Sequence, residues 1–479
     1  MKNRTISLIL LTLVVLITFF VFSACGGKKT PPKGEKVKED QKTAIDLVGA
    51  EVIFRTQISL TSSVFYPDEA ENARGDKMRA RYKDIGVKYN CIITLESYPE
   101  ANGLADISNA FMTGTRFGDF YEAAPKVLYN MYKVGGVIPM SDVWDTEKIY
   151  DGKWGSKAAL DTVTYGNDIV GVNSGYWGIP IPSFDGVLYI NNRILSEAGQ
   201  PHPHELDEQG NWNWENLQTI AENVTQKVSE DRSIIALQSS DTTYTAAIYS
   251  NGGRFSYVDP DGNYKVAFND RKVYDAIEWL KELTDKKIIQ TATNMNFTDN
   301  QNLAFCIMPV WWGYRFNEAE NWPINAFKAG GYSWAQFPVG PNGDSHDAAA
   351  GGAVLQDRFI TLTAEGVYDS KIIGQIIDDI FEPLEGETPT TWKEDFAHTH
   401  FYDVSEFIAS KTDNSFKKYD NMLQNVNADG LMFMGDLRNT ITAAINLAVK
   451  GTKTPTEALE ALVEQAQAAL DKNTVISNG

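Results

Sequence analysis

The fold class of this chain is decided by three consecutive pieces: Gly178-Ile179-Pro180-Ile181-Pro182, then Gly186-Val187-Leu188-Tyr189-Ile190-Asn191-Asn192, then Arg193-Ile194-Leu195-Ser196-Glu197-Ala198-Gly199. The run from Val187 is apolar, short and bounded by Gly186 and Asn191, which predicts a buried strand. Pro180 and Pro182 cannot donate to a ladder, so the piece before it reads as a crossing or edge segment. The third piece predicts a short helix over 194–198. Working towards the N-terminus, 52–54 reads as a strand, 55–68 as a polar loop, 75–83 as a helix and 87–95 as a strand. A helix over 101–113 and a short strand over 118–121 follow, and 135–139 closes that unit. Strand, loop, helix, strand is the opening of an α/β domain.

Towards the C-terminus, 207–212 reads as a surface turn and 214–227 as a helix. Asp270 starts an amphipathic helix with Val273, Ile277, Leu280 and Leu283 on one face. A strand is expected over 304–312 and a helix over 370–381. Near the end, Thr454-Pro455-Thr456-Glu457 is a capping box with proline at the first helical position. Leu459, Leu462, Val463, Ala466 and Leu470 form the buried stripe of the helix it starts.

With 479 residues the chain exceeds one ordinary domain, and 43% hydrophobic residues supply a sizeable core. This composition excludes a disordered chain and a disulfide-dense scaffold. The formal charge is −20. The basic residues concentrate near the start, so the folded body is more acidic still, and it would repel a phosphate backbone. Nucleic acid is not an expected partner.

Lys2 and Arg4 precede an apolar run over 6–22 relieved only by Ser7, Thr12 and Thr18, and small residues Ser23 and Ala24 lead to Cys25. That is a charged region, a hydrophobic region and a cleavage zone. A plain transmembrane anchor is the other reading, since the run approaches the roughly 20 residues that span a bilayer. The segment 28–42, rich in Lys, Gly and Pro, suits a solvated tether.

Cys91 and Cys306 sit among apolar residues and read as thiols buried in strands, with a disulfide between them as the alternative. No Cys-x-x-Cys pair, P-loop or Gly-x-Ser-x-Gly motif is present. His202-Pro203-His204 and His398-Thr399-His400 lack a third metal ligand nearby. Asp259, Asp261 and Asn263 resemble a calcium loop, but Gly262 comes too early and no Glu follows where the bidentate ligand belongs. Asp378 and Glu382, four apart on the helix 370–381, read as a solvated acidic face. No catalytic residue, metal or cofactor is expected.

Two resemblances add to this reading. Phe22-Ser23-Ala24-Cys25 resembles the bacterial lipobox, whose cysteine is diacylated and becomes the mature N-terminus, although Phe22 stands where leucine is usual. Tyr176-Trp177-Gly178-Ile179-Pro180, the 187–199 strand and helix, Trp212-Asn213-Trp214-Glu215-Asn216-Leu217, Phe337-Pro338-Val339-Gly340-Pro341-Asn342-Gly343 with Gly351-Gly352 after it, and the segment 451–472 together resemble the extracellular solute-binding proteins of ABC importers. The likeness is to their carbohydrate-binding, maltose-binding-protein-like branch, in order over nearly the whole mature chain.

The resemblance implies an α/β, two-lobed periplasmic-binding-protein-like fold, with a ligand cleft between the lobes and a multi-segment hinge. The expected division is a signal peptide over 1–24, a flexible linker over 25–45 after acylated Cys25, a first lobe of 46–180 plus 338–384 and a second of 181–337 plus 385–479. Hinge crossings are expected near 178–182, 334–338 and 382–391.

A sugar offers apolar C–H faces and a rim of hydroxyls, so its cleft needs flat aromatic rings beside amides and carboxylates. The 11 Trp and 21 Tyr supply such rings. In the resembling family a tryptophan after the buried strand stacks on sugar, which makes Trp311 and Trp312 candidates, although adjacent strand residues cannot both face one side. The other ligand candidates are Ser62 and Tyr66 in the loop after the first strand, Glu122 and Lys126 after the short strand, Trp177 and Trp334 at the crossings, Asp185 before the 187 strand, and Gly352. Trp212, Trp214 and Trp279 read as structural.

The implied function is capture of a sugar or oligosaccharide by a monomeric protein, lipid-anchored on the outer face of the cell membrane, and its delivery to ABC permease subunits without chemistry on the ligand. Two alternatives share these features: an anchored glycan-degrading enzyme, and a sensor or peptide binder on the same fold.

Overall fold

The quoted strand is present with every side chain buried, and the returns of the chain around it define the architecture. The computed structural model describes residues 45–56, 73–99, 103–173, 184–227, 234–259, 264–291, 302–310, 332–355, 358–386, 412–427, 429–433 and 435–474. Within these the strands are β1 Ala50–Thr56, β2 Cys91–Ser97, β3 Phe120–Ala123, β4 Val137–Ile138, β5 Thr164–Tyr165, β6 Asp168–Ile169, β7 Phe184–Asp185 and β8 Val187–Asn191. They continue with β9 Ile235–Gln238, β10 Ser256–Val258, β11 Tyr264–Val266, β12 Ile289–Gln290, β13 Leu303–Met308, β14 Tyr332–Gln336, β15 Val354–Leu355 and β16 Phe359–Thr363.

The first large sheet has the order β2-β1-β3-β16-β4. β1 is parallel to β2, with Ala50 opposite Cys91, and parallel to β3. β16 returns from far along the chain to lie antiparallel to β3, with Phe359 opposite Ala123. The carboxyl ends of β1, β2 and β3 therefore share one edge with the start of β16.

The second large sheet has the order β12-β9-β13-β8-β14. β9 is parallel to β12 and β13, while β8 runs antiparallel to β13 and β14, with Val187 opposite both Met308 and Gln336. Here the carboxyl ends of β9, β13 and β14 meet the start of β8. Both β8 and β13 are buried along their whole length, as their near-continuous apolar runs require of central strands covered on two faces.

One face of the second sheet, with Leu188, Ile190, Phe305 and Ile307, shares a core with the helices Trp214–Lys227, Asp241–Ser250, Arg271–Asp285 and Gly435–Val449. The other face, with Val187, Tyr189, Cys306 and Met308, packs with Tyr419, Met422 and Leu423 of the helix Thr412–Gln424. Its cluster extends to Tyr121 and Phe359 of the first sheet. Trp214 and Trp279 stack with centroids 4.0 Å apart, and the Trp212 indole donates to the Gln336 carbonyl at 2.8 Å. All three serve packing.

Several local expectations are corrected. The strand expected over 87–95 starts at Cys91, because the helix Ala73–Tyr89 continues through Val87 until Asn90 takes a left-handed conformation (φ 49°) that ends it. The turn expected over 207–212 is preceded by a helix, Pro203–Glu208, which His202 caps with Pro203 in its first turn. The capping box of Thr454 and Glu457 forms, but a tight turn at Glu460–Leu462 divides the helix after it into Pro455–Leu459 and Val463–Thr474.

Asp378 and Glu382 face solvent in part, with side chains 25% and 52% exposed, but they are ion-paired and not simply hydrated. Lys153, 8% exposed, lies 2.5 Å from Asp378 and 2.6 Å from Glu382, and Lys148 also reaches Asp378. Cys91 and Cys306 are buried free thiols in the two different sheets. Burial raises both thiol pKa values, that of Cys91 to about 11.

Candidate solute-binding site

In open α/β sheets ligands bind beyond the carboxyl ends of the strands, where loops diverge and no ladder satisfies the backbone. A buried carboxylate stands at that edge of the first large sheet, and another just before the start of β8 in the second. On the first sheet it is Glu122, the third residue of β3, 1% exposed. The Thr56 hydroxyl, at the end of β1, donates to its Oε2 at 2.6 Å, and the Tyr98 hydroxyl donates to its backbone carbonyl at 2.6 Å. Burial pushes the Glu122 carboxyl above its ordinary range, against the opposing pull of Arg358 and the Thr56 hydrogen bond. Lys126 belongs to the first turn of the helix Pro125–Lys133, which leaves the same edge.

Beside the second large sheet the carboxylate is Asp185, 8% exposed, in the short strand β7, which forms a separate two-stranded sheet with β15 and leads through Gly186 into the start of β8. β7 pairs with β15, placing Asp185 opposite Val354, and the Val310 amide donates to the Phe184 carbonyl at 2.9 Å. Gly186 follows with φ 108°, and a Cβ there would lie 2.9 Å from the Ala353 Cα. The backbone thus fixes where the Asp185 side chain starts.

Gly352 has φ 70°, and a Cβ on it would meet the Ala246 carbonyl oxygen at 2.4 Å. Close packing on the helix Asp241–Ser250 already explains this glycine. Trp334 lies in the interior of β14 opposite Tyr189, 3% exposed, with its ring 6.4 Å edge-on from His204. It is a core ring one layer beneath the edge. Ser62, Tyr66, Trp177, Trp311, Trp312 and Cys25 lie outside the described residues, although Trp311 follows Val310 directly in the chain.

Three polar residues of these edges were not singled out from sequence. Thr56 and Arg358 are the partners of Glu122. Gln238 ends β9, is 2% exposed, and its Oε1 has no hydrogen-bond partner among the described residues. The signal that finds them is position: each ends a strand or immediately precedes one at the edge where parallel strands finish.

Among the described residues no group of three metal-ligating side chains assembles. His202 bonds Ser333 at 2.7 Å and the Lys418 ammonium sits 3.1 Å from Nδ1 of His204. No helix of the described residues is long and apolar enough to cross a membrane.

By sequence, no protein-family model and no curated protein matches the chain. Comparison with solved structures gives a different result. The cyclic alpha-maltosyl-1,6-maltose binding protein from Arthrobacter globiformis aligns over 89% of this chain and 100% of its own, at TM-score 0.63 and 14% identity. The chain has the two-lobed solute-binding-protein fold. The sugar-binding protein MalE from Xanthomonas citri aligns over 89% of this chain and 98% of its own, at TM-score 0.61 and 13% identity. An ABC substrate-binding protein from Listeria monocytogenes, in complex with cycloalternan, aligns over 88% and 98% at TM-score 0.56 and 11% identity.

Proposed function

We propose that this chain is a membrane-anchored extracellular solute-binding protein that captures a sugar or oligosaccharide and delivers it to an ABC permease. The observation that carries the reading is a buried, sparingly hydrogen-bonded carboxylate at the carboxyl edge of a sheet, Glu122, in a fold shared with sugar-binding proteins. Asp185, in the β7–β15 pair, stands two residues before the start of β8 at the corresponding edge. Carboxylates accept hydrogen bonds from sugar hydroxyls in bidentate and branched patterns, and buried ones do so without competition from water.

In this reading Lys126 and Gln238 add donors and acceptors, while Ser62, Tyr66, Trp177, Trp311 and Trp312 supply loop hydroxyls and stacking rings. Trp334 and Gly352 support the site from beneath. The lobes are 46–180 plus 338–384 and 181–337 plus 385–479, and they close on the ligand by hinge motion. Diacylated Cys25 holds the monomeric protein at the outer face of the membrane, and no chemistry is performed on the ligand.

The test is a thermal-shift screen of the chain lacking residues 1–25 against saccharides, amino acids and short peptides, followed by chromatography of each sample. Mass action raises the melting temperature for whatever binds the native state. A stabilising saccharide recovered intact supports capture. Recovery as fragments sinks this reading in favour of a glycan-degrading enzyme, and a shift with peptides alone makes the protein a peptide binder or sensor.

A further inference from the structure

The edge of the first sheet opposite the candidate site is where most of the exposed large apolar side chains of the described residues collect. Val48, 83% exposed, precedes β1, and Ile92, 61% exposed, is the second residue of β2. Val87 lies in the last turn of the helix Ala73–Tyr89, Met112 in that of Gly103–Thr113, Val134 just after Pro125–Lys133, and Val367 just after β16.

Hydrogen bonds at or beside Val48, Val87 and Val367 mark one rim. The Gly49 amide donates to the Asn90 carbonyl and the Asn90 amide to that of Val87. The Tyr368 hydroxyl donates to the Glu51 carbonyl, and the Ala364 amide donates to that of Gly136. Helices that follow parallel strands run back to the strands' amino ends, so their last turns necessarily arrive here. Nothing in that topology requires their last residues to be apolar.

We propose that this rim rests on the phospholipid surface of the membrane that carries the N-terminal segment. The inference depends on reading the apolar run 6–22 as membrane-associated, and it holds whether that run is a spanning anchor or leads to an acylated Cys25. It is independent of the ligand's identity. The chain outside the described residues decides the occupant. Residues 26–46 join the body at Leu47, beside Val48, and a chain of that length cannot separate the body from the membrane by more than about 75 Å even when fully extended.

A tether that short holds the rim near lipid at an effective concentration on the order of millimolar, so even weak apolar contacts are populated. The acidic body excludes capture by charge alone. Lys88 and Lys133, in the last turns of two of these helices, have apolar stems that suit a headgroup boundary.

The test uses the full chain in vesicles of phosphatidylethanolamine and phosphatidylglycerol, with an environment-sensitive fluorophore on M112C, V367C or, as control, L447C. Leu447 belongs to the helix Gly435–Val449 of the other sheet and is also exposed. All three positions are on the surface, and the native Cys91 and Cys306 are buried. Brominated acyl chains should quench the labels at 112 and 367 about two-fold and leave that at 447 unchanged, and V367E should abolish the quenching at 112.

Flotation of the vesicles reports anchoring separately. Protein that floats with equal or absent quenching at all three positions overturns the rim contact and leaves the anchor standing. Protein that does not float overturns both. An emission change that brominated lipid does not quench assigns the rim to a protein partner or a second copy and overturns the lipid assignment.

Discussion

Glu122 and Asp429 are both buried carboxylates, and their surroundings differ in a way that separates a residue holding the fold from one able to hold a ligand. Asp429 accepts hydrogen bonds from the Tyr249 hydroxyl, the amides of Phe255, Ser256 and Leu431, and the Ser256 hydroxyl. Its acceptor capacity is filled by the protein, and it fastens the segment near 430 to the β10–β11 ribbon. The Glu122 carboxylate makes one hydrogen bond among the described residues, from Thr56. Burial raises the pKa of both groups. Among the described residues the Glu122 carboxylate has a single hydrogen-bond donor where Asp429 has several, and it stands where strands end.

That contrast breaks if both substitutions have the same consequence. Asp429→Ala leaves several buried donors unpaired and should cost about 3 kcal/mol or more, read as a lowered urea midpoint. Glu122→Gln should cost no stability and weaken binding of the stabilising saccharide by roughly 10- to 100-fold, read by titration calorimetry, because a hydrogen bond to a charged acceptor is lost. An unchanged affinity would remove Glu122 from the site. Gly352→Ala sharpens the comparison from the backbone side. Its left-handed φ and the Ala246 carbonyl oppose a methyl group, so a loss of about 1 to 3 kcal/mol in stability is expected.

The elements were more legible in the sequence than the site. Apolar runs such as Val187 to Ile190 and the stripe Val273, Ile277, Leu280 and Leu283 report their own burial, since period and length are local properties. The capping box at Thr454 is legible for the same reason. The helix end at Asn90 was not, because it depends on a single residue adopting φ 49°.

Sites are harder still. Thr56 joins Glu122 across 66 residues, and Arg358 approaches it from a strand that returns far along the chain. No spacing rule encodes such a meeting. The acidic pair Asp378 and Glu382 is legible only in part for the same reason: their i,i+4 spacing and solvent-facing side are visible, but the lysines that neutralise them come from another segment.

The smallest expected effect is a pH dependence that separates Asp378 from Glu122 by sign. Burial acts to raise the Asp378 pKa, but hydrogen bonds from Lys148 and Lys153 outweigh it and hold the group below the usual aspartate range. Its contribution to stability is therefore present above the unfolded pKa of about 3.9 and is lost as pH falls through the lower native value. Glu122 behaves oppositely. Its native pKa is raised, so keeping it ionised costs stability above that value, and the cost fades as pH falls below the unfolded pKa of about 4.3. Melting temperatures of Asp378→Asn and the parent should converge as pH falls below 4. Those of Glu122→Gln should exceed the parent by a margin that grows from pH 4 to neutrality. If Glu122→Gln instead loses stability as pH rises, its carboxylate is held by more hydrogen bonds than Thr56 provides, and it belongs with Asp429 as a fastening of the fold.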